Sequence, residues 1–175
     1  IKKTLSTSVS KLDSIRDVTE MESTAMGDAL RMVILCDYIR KDDMPRSPND
    51  LRPLARIGVI PVFEQLRRAD IADIKLGVLT GSCILIPAGA EQALRDIVAE
   101  RELAADDFTL KPAPFSGDFM ELRPKGAMRH RIVSIITELF NRGGITVLVG
   151  TQALLGEGWD APTVNTLVLA SYVGS

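Results

Sequence analysis

Apolar residues along this chain follow two rhythms. The first is a set of short unbroken runs: RMVILCD over 31–37, Lys75 to Leu79, Cys83 to Ile86, Ile145 to Val149, and Val164 to Ala170. A continuous apolar run of this length, rich in branched residues, predicts a strand covered on both faces. The second rhythm repeats every three or four residues and predicts amphipathic helices. Ser8 to Met26 carries Leu12, Ile15, Val18, Met21 and Met26 and is stopped by Gly27. Ile57 to Ala69 is also helical in pattern, with Pro61 in its first turn or kinking it. Gly89 to Ala105 aligns Leu94, Ile97, Val98 and Leu103. Gly126 to Asn141 has a broad apolar face from Ile132 to Phe140, ended by Gly143. Asp42 to Pro53, with three prolines, reads as a loop. Phe108 to Pro114 and Phe119 to Arg123 read as extended pieces either side of a Ser116-Gly117-Asp118 turn.

Apolar strands alternating with helices of this length predict one α/β domain over 1–175: a three-layer sandwich with a mostly parallel sheet and helices on both faces. In such folds ligands gather beyond the carboxyl ends of the strands. The informative places are therefore the segments after Leu35, Leu79, Val149 and Ala170.

Composition changes this picture little. Hydrophobic residues make up 46% and charged residues 25%, enough for a core without covalent staples. A net charge of −2 shows no general basic excess, although one basic face can sit within a neutral total. Cys36 and Cys83 lie in apolar runs and read as buried free thiols. With His130 the single histidine and no CxxC, a zinc site or a Ser-His-Asp triad has little support. No run reaches the ~20 apolar residues of a membrane span, and IKKTLSTSVS has no signal-peptide core, so a cytoplasmic protein without membrane contact is expected. The initial Ile and the final SYVGS read as cuts through a larger protein.

The richest segment for chemistry is VGTQALLGEGWDAPTVNTLVLA, beginning at Val149. Thr151 presents a hydroxyl at a strand end, suited to a phosphate or sugar contact. Gly156 and Gly158 permit close backbone approach, and Asp160 can accept hydrogen bonds from sugar hydroxyls. An ordinary Gly-rich turn closed by Asp160-Ala161-Pro162 is the alternative on residues alone.

Thr151, Gly156, Gly158, Asp160 and Pro162 together resemble motif V of superfamily 2 helicases, and the Glu157-Gly158-Trp159-Asp160 form resembles bacterial restriction translocases more than DEAD-box proteins. RMVILCDYIR resembles motif IV, KLGVLTG the following strand, and Arg129 to Phe140 the helix before motif V; residues 82–123 match no motif. The resemblance implies a second RecA-like domain with a P-loop-NTPase-like fold. It further implies that Thr151, Thr80 and Gly81 touch a DNA or RNA backbone, while Gly156, Gly158 and Asp160 face a nucleotide. ATP and magnesium would be held by a first RecA-like domain of the same polypeptide. No GxxxxGK[ST] loop and no strand-end Asp-Glu pair occurs here, and the arginine-bearing motif VI would follow Ser175. The chain alone is thus expected to bind no cofactor tightly, to hold no metal or catalytic residue, and to hydrolyse no ATP.

Other readings compete. A non-catalytic RecA-like binding module would keep the fold without the motor. A Rossmann-like enzyme using Asp37 would need a Gly-rich loop after the first strand, where Cys36-Asp37-Tyr38-Ile39 stands. Arg123, Lys125, Arg129, His130 and Arg131 either track phosphates or form a solvated helix start. Trp159 stacks on a base or packs on its own domain. Arg67 and Arg68 read as a solvated helix face, and Asp37 and Tyr38 as groups that orient loops.

Overall fold

A computed structural model describes residues 2–155 and 159–170, with side chains from residue 9 onward. The helices are α1 (Lys2–Met26), α2 (Val59–Ala69), α3 (Glu91–Glu100), α4 (Ile132–Asn141) and the short α5 (Gln152–Leu155). The strands are β1 (Met32–Cys36), β2 (Leu76–Leu79), β3 (Ile84–Pro87), β4 (Phe108–Ala113), β5 (Ser116–Pro124), β6 (Val147–Thr151) and β7 (Thr166–Ala170). They form one sheet in the order β4-β5-β3-β2-β6-β1-β7.

The sheet has two halves of opposite character. β2, β6, β1 and β7 run parallel, each pairing across a crossover. β3, β5 and β4 extend it as an antiparallel meander. The expected α/β sandwich is present, and its sheet adds a three-stranded antiparallel extension to four parallel strands. The segment 82–123, which carries no motif, builds most of the antiparallel half.

Both faces of β1, β2 and β6 are covered, which explains their unbroken apolar runs. Met32, Ile34, Cys36, Val78 and Val149 meet Leu12, Ile15, Ile60 and Phe63 of α1 and α2 on one face. Val33, Leu35, Leu79 and Leu148 meet Leu94, Ile97, Ile135 and Leu139 of α3 and α4 on the other. At the sheet margin β7 is covered on one side only, leaving Leu167 and Leu169 exposed. No helix of the described residues is long and apolar enough to cross a membrane.

Several local expectations are corrected. The hairpin turn joining β4 to β5 is Pro114-Phe115, and Ser116-Gly117-Asp118 lie inside β5. Phe115 decides the register: it is buried edge-on against Phe63, 5.8 Å between ring centroids, and the strand starts immediately after it. The helix expected from Gly126 begins as a 3-10 turn, Gly126–His130, and becomes α-helical at Ile132. α3 stops at Glu100, because Glu102 takes a left-handed conformation (φ +59°) and Leu103 N–H returns to Val98 O. Pro61 sits in the first turn of α2, where its missing N–H costs nothing.

Arg67 and Arg68 are not a solvated face. Arg67 donates to both carboxylate oxygens of Glu64, at 2.5 and 2.8 Å, and Arg68 Nη2 lies 3.2 Å from Glu64 Oε1. Glu64 is fully buried. Arg68 also donates to Arg52 O, while Arg52 grips Asp50 and donates to Asp42 O. This chain of charges fastens the proline-rich loop to α2.

Candidate functional site

The carboxyl ends of the parallel strands share one margin of the sheet. Pairing sets Cys36 level with Thr151 on one side and with Ala170 on the other. Leu79 is level with Gly150, so Thr80 is level with Thr151 on the neighbouring strand. Two residues singled out from the sequence, Thr80 and Thr151, therefore stand roughly 5 Å apart, one strand spacing.

Their environments differ. Thr80 is buried, and its hydroxyl is used within the β2–β3 turn. It accepts from Cys83 N at 2.9 Å and from Ser82 N at 3.3 Å, and donates to Cys83 O at 3.0 Å. It shapes the hairpin tip, and Gly81 at that tip is exposed. Thr151 is half-exposed at the end of β6. The chain turns directly from it into α5, a turn that needs the preceding glycine. A Cβ at Gly150 would lie 2.7 Å from Leu79 O and 2.5 Å from Leu155 Cδ1. Gly150 thus leaves the room that α5 needs to fold back onto β6 and β1 directly after Thr151.

Gly156 and Gly158 lie outside the described residues, so only the flanks of the Gly-rich turn are defined. Asp160 is exposed, and the segment around it is pinned to α4. Trp159 Nε1 donates to Thr137 Oγ1 at 2.7 Å, Thr137 donates to Val133 O, and Thr163 donates to Asn141 Oδ1. The Trp159 ring packs 6.3 Å from Phe140, so of the two sequence readings of Trp159 the structure has the packed one. Asn165 closes the segment by accepting from Arg31 N and donating to Ala29 O. Asp160 consequently lines a groove along α4 of about 550 Å³, together with Arg101 and His130.

A second groove, of about 580 Å³, opens beside the β2–β3 tip. Thr80, Gly81, Arg123 and Arg129 line it, joined by Lys41 from the loop after β1. It brings the hairpin tip and two members of the basic cluster together. Lys41 gave no signal in the sequence, because its position depends on how the proline-rich loop is fastened to α2. Tyr38 orients that loop: its carbonyl accepts from Val59 N, and its ring lies against Gly58.

Neither cysteine is chemically poised. Burial, with Asp37 adding to it, pushes the Cys36 thiol up to about 12; burial, with Glu121 adding, does the same at Cys83. Both stay protonated thiols at neutral pH.

No family model, curated protein or solved structure matches the chain.

Proposed function

We propose that this chain is the second RecA-like motor domain of a superfamily 2 helicase or translocase. One observation carries the reading: adjacent parallel strands deliver Thr151 and the Thr80-Gly81 tip side by side at the carboxyl margin of the sheet. That is where an α/β sheet collects ligands, and it joins two segments that resemble helicase motifs independently. The pinning of the Trp159 to Asn165 segment supports a second, nucleotide-facing edge at Asp160.

In this reading ATP and magnesium sit on a first RecA-like domain, and the Gly156, Gly158 and Asp160 edge closes over them. Hydrolysis reopens the cleft. Thr151 and the Gly81 backbone hold the phosphate backbone of DNA or RNA meanwhile. Such contacts are salt-dependent and largely independent of base sequence. The chain itself carries no phosphate-binding loop, so it closes on a nucleotide and does not bind one alone.

The test is ATP hydrolysis by the polypeptide that joins this chain to a first domain, with and without DNA or RNA. Thr151→Ala is expected to reduce the nucleic-acid stimulation and Asp160→Ala the hydrolysis itself, each by about tenfold, the effect of losing ~1.4 kcal/mol of transition-state stabilisation. ATP hydrolysis that no nucleic acid stimulates, or none at all, would sink the motor reading and favour a binding module. Magnesium-dependent hydrolysis by the 175-residue chain alone would sink it as well.

A further inference from the structure

The antiparallel half of the sheet continues the row that carries Thr151 and Thr80. Thr80 N–H donates to Cys83 O at 3.0 Å, setting these two level across the β2–β3 tip. Leu85 pairs with Glu121, so Cys83 is level with Arg123, and Arg123 pairs with Thr109 on β4. Cys36, Thr151, Thr80, Cys83 and Arg123 therefore lie in one line across five strands. Arg123 stands three strand spacings from Thr151, roughly 14 Å. Successive phosphates of one B-form strand are ~3.4 Å apart along the axis, so several fit between the two ends.

The 580 Å³ groove lies along this stretch of the row. Lys41, Arg123 and Arg129 line it, and Glu121 is the one carboxylate among its described lining residues. Glu121 is already held by Arg123, at 2.9 Å. Lys41 and Arg129 enter none of the ion pairs among the described residues, whereas Arg52, Arg67, Arg68, Arg95 and Arg142 all face carboxylates. The groove is thus lined by surplus positive charge. No aromatic residue is among its described lining residues, so none of these offers a base a stacking surface. Its chemistry suits phosphate oxygens.

We infer that this groove is a second backbone-binding site, in which Lys41, Arg123 and Arg129 hold the phosphodiesters of a nucleic-acid strand that has passed Thr151 and the Gly81 tip. The direction of the strand rests on the helicase reading; the anion site itself rests on the groove. The antiparallel extension would then lengthen the track without reading sequence.

The experiment uses the 175-residue chain and a fluorescein-labelled oligothymidylate of about 15 nucleotides, a length chosen to exceed the ~14 Å track. Anisotropy is followed over a salt series for wild type, K41E, R123E, R129E and R129Q. R95E, on α3 outside the groove, is the control, and thermal melts verify that each variant is folded. Groove variants are expected to bind about tenfold more weakly at low salt, with the log–log salt slope reduced by about 0.7 for each phosphate no longer neutralised. R95E should match wild type. Wild-type affinity and slope in all groove variants, or no oligonucleotide binding by the chain, would overturn the inference. So would inorganic phosphate binding more tightly than the oligonucleotide, which would assign the groove to a free phosphate. Binding that ignores the groove variants but falls with Thr151→Ala removes this site and leaves the helicase reading intact. Groove-dependent binding without strand-stimulated ATP hydrolysis does the reverse.

Discussion

At Glu64 a carboxylate is fully buried and held by two arginines that reach it from the next turn of the same helix. Taking the carboxylate away leaves two partly buried guanidinium groups facing a neutral site. Breaking a buried ion pair from one side costs about 3–5 kcal/mol, and partial exposure of the arginines puts Glu64→Gln at about 2–3 kcal/mol. Urea unfolding with an unchanged m-value checks this; a loss under about 0.5 kcal/mol would show that the pair contributes little. None of this was legible in the sequence, where two consecutive arginines look solvated. Which face of α2 turns inward is decided by Phe63, Leu66 and the sheet, and that decision buries Glu64 with them. Asp50 gives a pH-dependent counterpart. Hydrogen bonds from Arg52 and from Arg46 N–H lower its pKa to about 2, against ~3.9 in an unfolded chain. Its contribution to stability is therefore present above about pH 4 and lost as the pH falls towards 2. In that window the wild type is expected to lose stability more steeply than Asp50→Asn. Parallel acid titrations of the two would contradict the assignment.

Among the elements, helix ends show most directly how local chemistry sets boundaries. α3 and α4 both finish with an i to i−5 return bond, Leu103 N–H to Val98 O and Gly144 N–H to Leu139 O. Both place a left-handed residue just before it, Glu102 at φ +59° and Gly143 at φ +87°. Glycine adopts that conformation without penalty, and Gly143 made the end of α4 readable. Glutamate gives no such signal, so the sequence pattern carried α3 on towards Ala105. A side chain in this conformation costs ~1–2 kcal/mol, partly offset by the entropy that glycine loses on folding. Glu102→Gly is accordingly expected to stabilise the fold by about 0.5–1 kcal/mol in a chemical-denaturation curve. A destabilised variant would mean that the Glu102 side chain makes an interaction worth more than the strain. The β4–β5 hairpin was misplaced for a related reason. Ser116-Gly117-Asp118 has turn composition, but burial of Phe115 among Phe63 and Phe119 outweighs it.

For the whole molecule, legibility divides along the middle of the sheet. The parallel half could be read because strands covered on both faces leave unbroken apolar runs, and their carboxyl ends are where Thr80, Gly81 and Thr151 were expected to count. In the antiparallel half the extended segments could be read, as Cys83 to Ile86, Phe108 to Pro114 and Phe119 to Arg123, but not how they pair. β4 and β5 alternate exposed and covered positions irregularly, and the pairing of the meander puts Arg123 in line with Thr151 across strands that the sequence keeps apart. The basic cluster was visible as residues, but not that two of its members, Arg123 and Arg129, line one groove with Lys41.

The place of β1, between β6 and β7, also bears on how the chain folds. Met32 pairs with Val147 and Thr166, more than a hundred residues later. Closing a loop of that length costs about 2 kcal/mol more in chain entropy than closing a ten-residue one. The two-residue hairpin between β4 and β5 has no such handicap. The meander should therefore form in the folding transition state, while β1 and its partners join late. In stopped-flow chevrons, Leu122→Ala in β5 is expected to slow folding, and Val33→Ala in β1 to speed unfolding with little change in folding rate. The opposite partition would put the nucleus at β1. On a ribosome, the five buried apolar residues of β1 would wait, unpaired, while the more than one hundred residues that separate them from β6 were made.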